Sequence, residues 1–180
     1  MFAVLKREFR SYFQNVIGWL FVAALMALFG LYFYVYNLRQ GYPYLYYTLS
    51  AITIIFMIAV PILTMRSFAE DRKNKTDQLL LTAPVKISDI ILGKYLALLT
   101  IYVLAVFTVD IAVFCVTPLI LRAFGTIPMG ESYIAILAFW LYGAASIAVG
   151  MFISALTESQ VIAAVLTFVV LFISYMMQSL

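Results

Sequence analysis

The 180 residues contain no histidine, which removes the commonest general base and the commonest metal ligand. The single cysteine, Cys115, can form neither an internal disulfide nor a cysteine-rich metal site. Charge is scarce as well: 11% of the residues are charged, against about a quarter in soluble domains. Apolar residues fill the space, at 66% of the chain with a mean hydropathy of +1.08. No water-soluble domain of this length has an interior large enough to hide that much apolar surface. A compact soluble domain, a nucleic-acid-binding module and a disordered tail are excluded together, and the chain belongs in a bilayer. The net charge of +3 then reads as an excess of Lys and Arg on the cytoplasmic side of a membrane protein, with no nucleic acid as partner.

The gaps between charges carry the organisation. Residues 11–38, 40–65, 132–157 and 159–180 contain none, and 95–121 contain only Asp110. A spanning helix needs roughly 20 mostly apolar residues, so each gap holds one span. The expected spans are 16–36, 45–65, 88–121, 133–156 and 160–177, an all-α integral membrane fold in a single domain of residues 1–180. None of these runs alternates apolar with polar residues as a membrane barrel strand does. With the N-terminus inside, nine Lys and Arg fall on the cytoplasmic side and two, Arg39 and Arg122, outside. The positive-inside rule therefore predicts a multi-pass cell-membrane protein with a cytoplasmic N-terminus.

Residues 1–15 predict an amphipathic helix lying in the interface rather than a cleavable signal. Phe2, Leu5, Phe9, Tyr12, Phe13 and Val16 gather on one side; Lys6, Arg7, Glu8, Arg10, Gln14 and Asn15 occupy the other. The sizeable hydrophilic segment is the loop 66–87 with the start of the third span, where residues 66–94 hold 10 of the 19 charges. Glu70 can pair with Lys73 and Asp71 with Lys75 along a helix. Thr76 is a good N-cap for a short helix bearing Leu79, Leu80 and Leu81, which Pro84 stops. Ser88 is the next N-cap, with Asp89 in the first turn of the third span. A compact apolar helix at the surface is what helix-in-groove docking uses. Leucines resting on the membrane are the alternative.

Three runs then carry a resemblance: Phe68-Ala-Glu-Asp-Arg, Thr76-Asp-Gln-Leu-Leu-Leu-Thr-Ala-Pro-Val and Ile91-Leu-Gly-Lys. Together they resemble the first cytoplasmic loop of type-2 ABC transporter permeases, in the branch associated with gliding motility and copper-enzyme maturation. Residues 150–164 are similar to that family's turn between the fourth and fifth spans. The resemblance implies an exporting permease subunit that binds no cofactor itself. ATP and Mg would sit on a separate cytosolic ABC ATPase, and a second copy or a homologous permease would complete the pore. It implies that residues 76–85 form a coupling helix, with Leu79, Leu80, Leu81 and Pro84 as its apolar part. Glu70, Arg72, Lys75 and, from the second turn, Glu158 would be polar contacts. Such permeases usually have six spans and five are counted here, so either the sequence stops short of a sixth or the sixth is missing. The competing class is a non-transporting membrane scaffold that tethers a cytosolic partner through the same loop.

Enzyme chemistry finds no support. Gly93-Lys94 is followed by Tyr95 and preceded at the needed spacing by Ser88, so it is not a P-loop; Lys94 is expected to mark the headgroup level. No nucleophile–base pair, metal site or HExxH motif is present. Asp110, the one ionisable residue deep in a span, is expected to line the translocation path or a helix seam. Gly143, Ser146, Gly150 and Ser154 share one face of the fourth span and suit close helix packing. Tyr32, Phe33, Tyr34, Tyr36, Tyr42, Tyr44, Tyr46 and Tyr47 suit an outer aromatic belt. Residues 119–131, broken by Gly125, Pro128 and Gly130, read as an interfacial or re-entrant stretch.

Overall fold

An apolar run in lipid has no water to bond its backbone, so each run must satisfy its own N–H and C=O groups as a helix. The computed structural model describes residues 2–14, 16–41, 44–73, 87–121 and 129–178, and the regular structure among them is entirely helical. The helices are α1 (Phe2–Gln14), α2 (Val16–Phe33, prolonged by a π-helical stretch Tyr34–Arg39), α3 (Leu45–Thr64), α4 (Ala69–Lys73), α5 (Ile87–Leu121), α6 (Met129–Leu156) and α7 (Gln160–Gln178). Among the described residues five are long and apolar enough to cross a membrane: α2 with its extension, α3, α5, α6 and α7. The 35 residues of α5 reach about 52 Å at 1.5 Å per residue. That exceeds the roughly 40–45 Å of a bilayer with its headgroups.

Several boundaries differ from those read in the sequence. The first span runs to Arg39 because its last turn widens into a π-helix. The buried Asn37 anchors that turn: Thr48 Oγ1 donates to Asn37 Oδ1 at 2.6 Å, and Asn37 Nδ2 donates to the Tyr44 carbonyl at 3.5 Å. Gly41 then takes φ 72°, a left-handed conformation that a side chain would strain. α6 starts at Met129 rather than 133, so Gly130 and Glu131 are helical. Ser88 does not cap α5, since Ile87 already belongs to the helix, although Asp89 does lie in the first turn.

The helices enclose one core. α3 is central, packing on α2, α6 and α7, while α5 packs on α1, α2 and α6. At the middle Phe56 of α3 meets Tyr102 of α5 and Phe139 of α6, with ring centroids 5.2 and 5.4 Å away. The Tyr102 hydroxyl donates to the Phe139 carbonyl at 2.8 Å, so the phenol is satisfied away from water. Gly143 makes room for it, because a Cβ there would run into the Tyr102 ring. α7 is peripheral: Ala163, Thr167 and Leu171, four residues apart, turn inward, and Val161, Val165 and Met177 are exposed. Phe33 departs from the expected aromatic belt and is buried in the core. Tyr34, Tyr44, Tyr46 and Tyr47 are exposed at that end of the bundle, here called the tyrosine end.

The opposite end carries α1, α4 and their charged residues. α1 folds back at Gly18, where a Cβ would stand 2.6 Å from the Tyr12 carbonyl oxygen. Trp19 Nε1 donates to the Phe13 carbonyl at 2.9 Å across the same elbow. Tyr12 is buried and its hydroxyl donates to the Leu63 carbonyl at 3.2 Å, tying α1 to the end of α3.

Candidate functional site

Of the expected coupling residues, Lys75, Leu79, Leu80, Leu81 and Pro84 lie outside the described residues, and so do Thr76 and Asp77. Glu70 lies on α4 with its side chain outside the described set; Arg72 is on α4 and exposed. Glu158 is exposed in the 157–159 turn between α6 and α7, at the same end of the bundle. The structure thus describes the mounting of the loop, at residues 65–73 and again from Ile87.

That mounting is held from two sides by single side chains. After Thr64 the chain leaves α3 and turns through residues 65–68 into α4. Ser154, at the end of α6, receives hydrogen bonds from the Phe68 and Ala69 backbone N–H groups, each at 3.2 Å. Its hydroxyl donates in turn to the Met65 carbonyl at 3.2 Å. A five-residue helix cannot pair its first N–H groups internally, so Ser154 acts as an N-cap for α4 supplied by another helix. Gly150, one turn earlier on α6, lets α3 approach, because a Cβ there would meet the Thr64 side chain. Ser146 is buried and donates to the Tyr142 carbonyl of its own helix at 2.7 Å.

From the other side comes Lys94 of α5, buried to 2% exposure. Its ammonium donates to the Ser67 carbonyl at 2.6 Å and to Glu8 Oε1 at 3.3 Å, and it pairs with Asp71 Oδ2 at 2.6 Å. Two hydrogen bonds and one ion pair thus surround the ammonium. The Phe68 ring stands 5.1 Å from Nζ, close enough for cation–π attraction. Arg7 Nη2 reaches Glu8 Oε1 at 3.2 Å from the solvent side. Two cations and two anions therefore neutralise one another. A buried ammonium without such partners would cost several kcal/mol.

The Lys94 ammonium turns inward, covered by α1 and α4. One reading is corrected here. Glu8 does not belong to the solvent side of α1: at 9% exposure it faces Lys94, one turn before the buried Tyr12. Asp71 pairs with Lys94, a partner 23 positions away; the expected partner Lys75 lies outside the described residues. Asp110 lies on α5 in a stretch whose side chains are outside the described set.

Residues 33–179 match the family model described as ABC-2 family transporter protein, which covers well over half of the chain. The chain belongs to the ABC-2 transporter family. Comparison with curated proteins and with solved structures finds no match. As an ABC-2 permease it is a multi-pass membrane protein, and membrane subunits of this family work in general with a cytosolic ATPase. The matched region begins at Phe33 and so includes α3, α4 and the partners Asp71, Lys94 and Ser154, while Glu8 precedes it.

Proposed function

We propose that this ABC-2 permease subunit couples ATP hydrolysis on a separate cytosolic ATPase to substrate export across the cell membrane. In this reading the charged end and the N-terminus face the cytoplasm. The partner ATPase carries ATP and Mg, and this chain supplies no catalytic residue. A second copy, or a homologous permease, completes the translocation path. Residues 76–85 dock on the ATPase through Leu79, Leu80 and Leu81, bounded by Pro84, with Glu70, Arg72, Lys75 and Glu158 as polar contacts. The Phe68–Arg72 run supports placing the chain in the branch associated with gliding motility and copper-enzyme maturation.

The observation that carries the reading is the double clamp at the base of the loop. Lys94 and Ser154 bind the 65–71 segment to α5, α6 and α1 at once. A push on the loop therefore reaches three helices, rather than being absorbed by a hinge. A device that only tethers a partner has no need of that stiffness. Alternating access requires an element with two arrangements that the ATPase biases, and α5, joined directly to the loop at Ile87, is suited to it.

Co-expression with the ATPase encoded beside it tests the proposal. Wild type is expected to co-purify with the ATPase and to alter its turnover in nanodiscs. Leu79→Asp/Leu80→Asp is expected to insert normally and lose the partner. A folded wild-type chain that binds no ATPase discards the transporter reading in favour of the scaffold.

A further inference from the structure

Beside the clamp lies a cavity of about 510 Å³ between α4, the first turns of α5 and the last turns of α6. Its walls are apolar side chains, chiefly Phe68, Ile90, Ile91, Met151 and Phe152. Three charged residues also line it. The Lys94 ammonium is fully engaged and Asp71 is paired with it. Arg72 is different: its side chain is exposed at the mouth and makes no ion pair or hydrogen bond among the described residues. The site therefore combines an apolar chamber with one exposed guanidinium at its lip.

The cavity also sits at a particular depth. On α5 the charges Asp89 and Lys94 flank the wall residues Ile90 and Ile91, and on α6 the wall ends two residues before the exposed Glu158 turn. With the five spans set across a bilayer, charges that flank an apolar wall in this way would put it where acyl chains meet headgroups. Ile87, Ile91, Leu92 and Phe152 are all 46% or more exposed, so the wall continues onto the outer surface of the bundle. Among the described residues the wall is thus open to an occupant from the side of the bundle.

We propose that this cavity binds one acyl chain of an anionic phospholipid, whose phosphate is held by Arg72. The chain fills the space between α5 and α6 and the headgroup stays at the rim. Arg72 supplies planar donors that suit phosphate, and Asp71, held by Lys94, does not repel it as an isolated carboxylate would. The bound lipid then packs directly against Phe68 and Met151, on the α4 and α6 sides of the clamp. The lipid is a fixed component of the junction rather than the transported substrate.

The test uses the full chain alone, so its outcome is independent of whether an ATPase is bound. Protein reconstituted in nanodiscs of phosphatidylcholine with phosphatidylglycerol is released into mild detergent, and retained lipid is identified by native mass spectrometry. Wild type is expected to keep one phosphatidylglycerol in preference to phosphatidylcholine. The expected preference is about fivefold, the equivalent of the ~1 kcal/mol that one Arg contributes near an anionic surface. Arg72→Gln should abolish the preference and leave the amount of retained lipid similar. Ala155→Phe, which fills the cavity from α6, should lose the retained lipid, with circular dichroism showing an unchanged helix content. Equal retention of the two lipids by wild type overturns the role of Arg72. Wild-type retention by a folded Ala155→Phe overturns the site. Should Ala155→Phe fail to fold, Ala148→Phe on the same wall makes the same test.

Discussion

Removing the Lys94 ammonium should be the most damaging single change at the charged end. Lys94→Met keeps the length and apolar stem of the side chain, so packing is largely retained. It withdraws the cation from Asp71 and Glu8, whose side chains are only 17% and 12% exposed, and leaves the Ser67 carbonyl without its donor. Breaking a buried pair from one side typically costs about 3–5 kcal/mol. At roughly 2–4 °C per kcal/mol for a chain of this size, the melting temperature should fall by about 6–20 °C. Arg7 moderates the loss for Glu8, since it already pairs with that carboxylate, so Asp71 dominates. Lys94→Met/Asp71→Leu removes both charges, and such replacements are often near neutral. The double variant should accordingly recover more than half of the loss. Thermal unfolding of the four proteins in one nanodisc composition closes the double-mutant cycle. A Lys94→Met variant that melts within about 2 °C of wild type, less than 1 kcal/mol, refutes the buried cluster. A double variant whose loss equals the sum of the two single losses shows that the pair is not coupled.

Other consequences follow from the same geometry. Ser154→Ala leaves the Phe68 and Ala69 N–H groups without their acceptor. The expected cost is about 1–3 kcal/mol, read as a lower melting temperature and as faster amide exchange confined to residues 65–71. Gly143→Ala forces the buried Tyr102 ring to shift and should destabilise by about 1–3 kcal/mol, whereas Gly30→Ala, which meets nothing within 4 Å, should not. From the sequence alone, a path-lining Asp110 predicts that Asp110→Asn lowers ATPase turnover of the assembled complex while shifting the melting temperature by less than about 2 °C. Unchanged turnover and stability would show that Asp110 lies on no functional path.

Spans are legible in this sequence because each charge in hydrocarbon is expensive, so their spacing marks where helices can cross. The five long helices sit where those gaps fall. The finer ends depend on partners that no local pattern contains. α2 runs past Tyr36 because Thr48, eleven residues on, bonds Asn37 and holds the widened turn. The small residues of α6 announce a close approach, but only packing assigns Gly143 to Tyr102, Gly150 to Thr64 and Ser154 to the turn below α3.

The polar junction shows the same limit more sharply, and also the signal that could have found it. Lys94 stands two turns inside α5 among Ile90, Tyr95, Ala97 and Leu98, on a helix otherwise suited to lipid. A lysine at that depth either snorkels or finds an acid, and Gly93 beside it suggests the phosphate motif that the spacing then excludes. Glu8 lies four residues before Tyr12 on α1, so it borders the aromatic face instead of opposing it. Two misplaced charges of opposite sign, each at the edge of an apolar surface, are a reason to test one against the other. Their separation of 86 residues hides the pairing from any rule of local spacing. The fold supplies it by laying α1 along α5. The junction is therefore formed only when α1, α4 and α5 have all assembled, which makes its ion pair a reporter of the finished charged end.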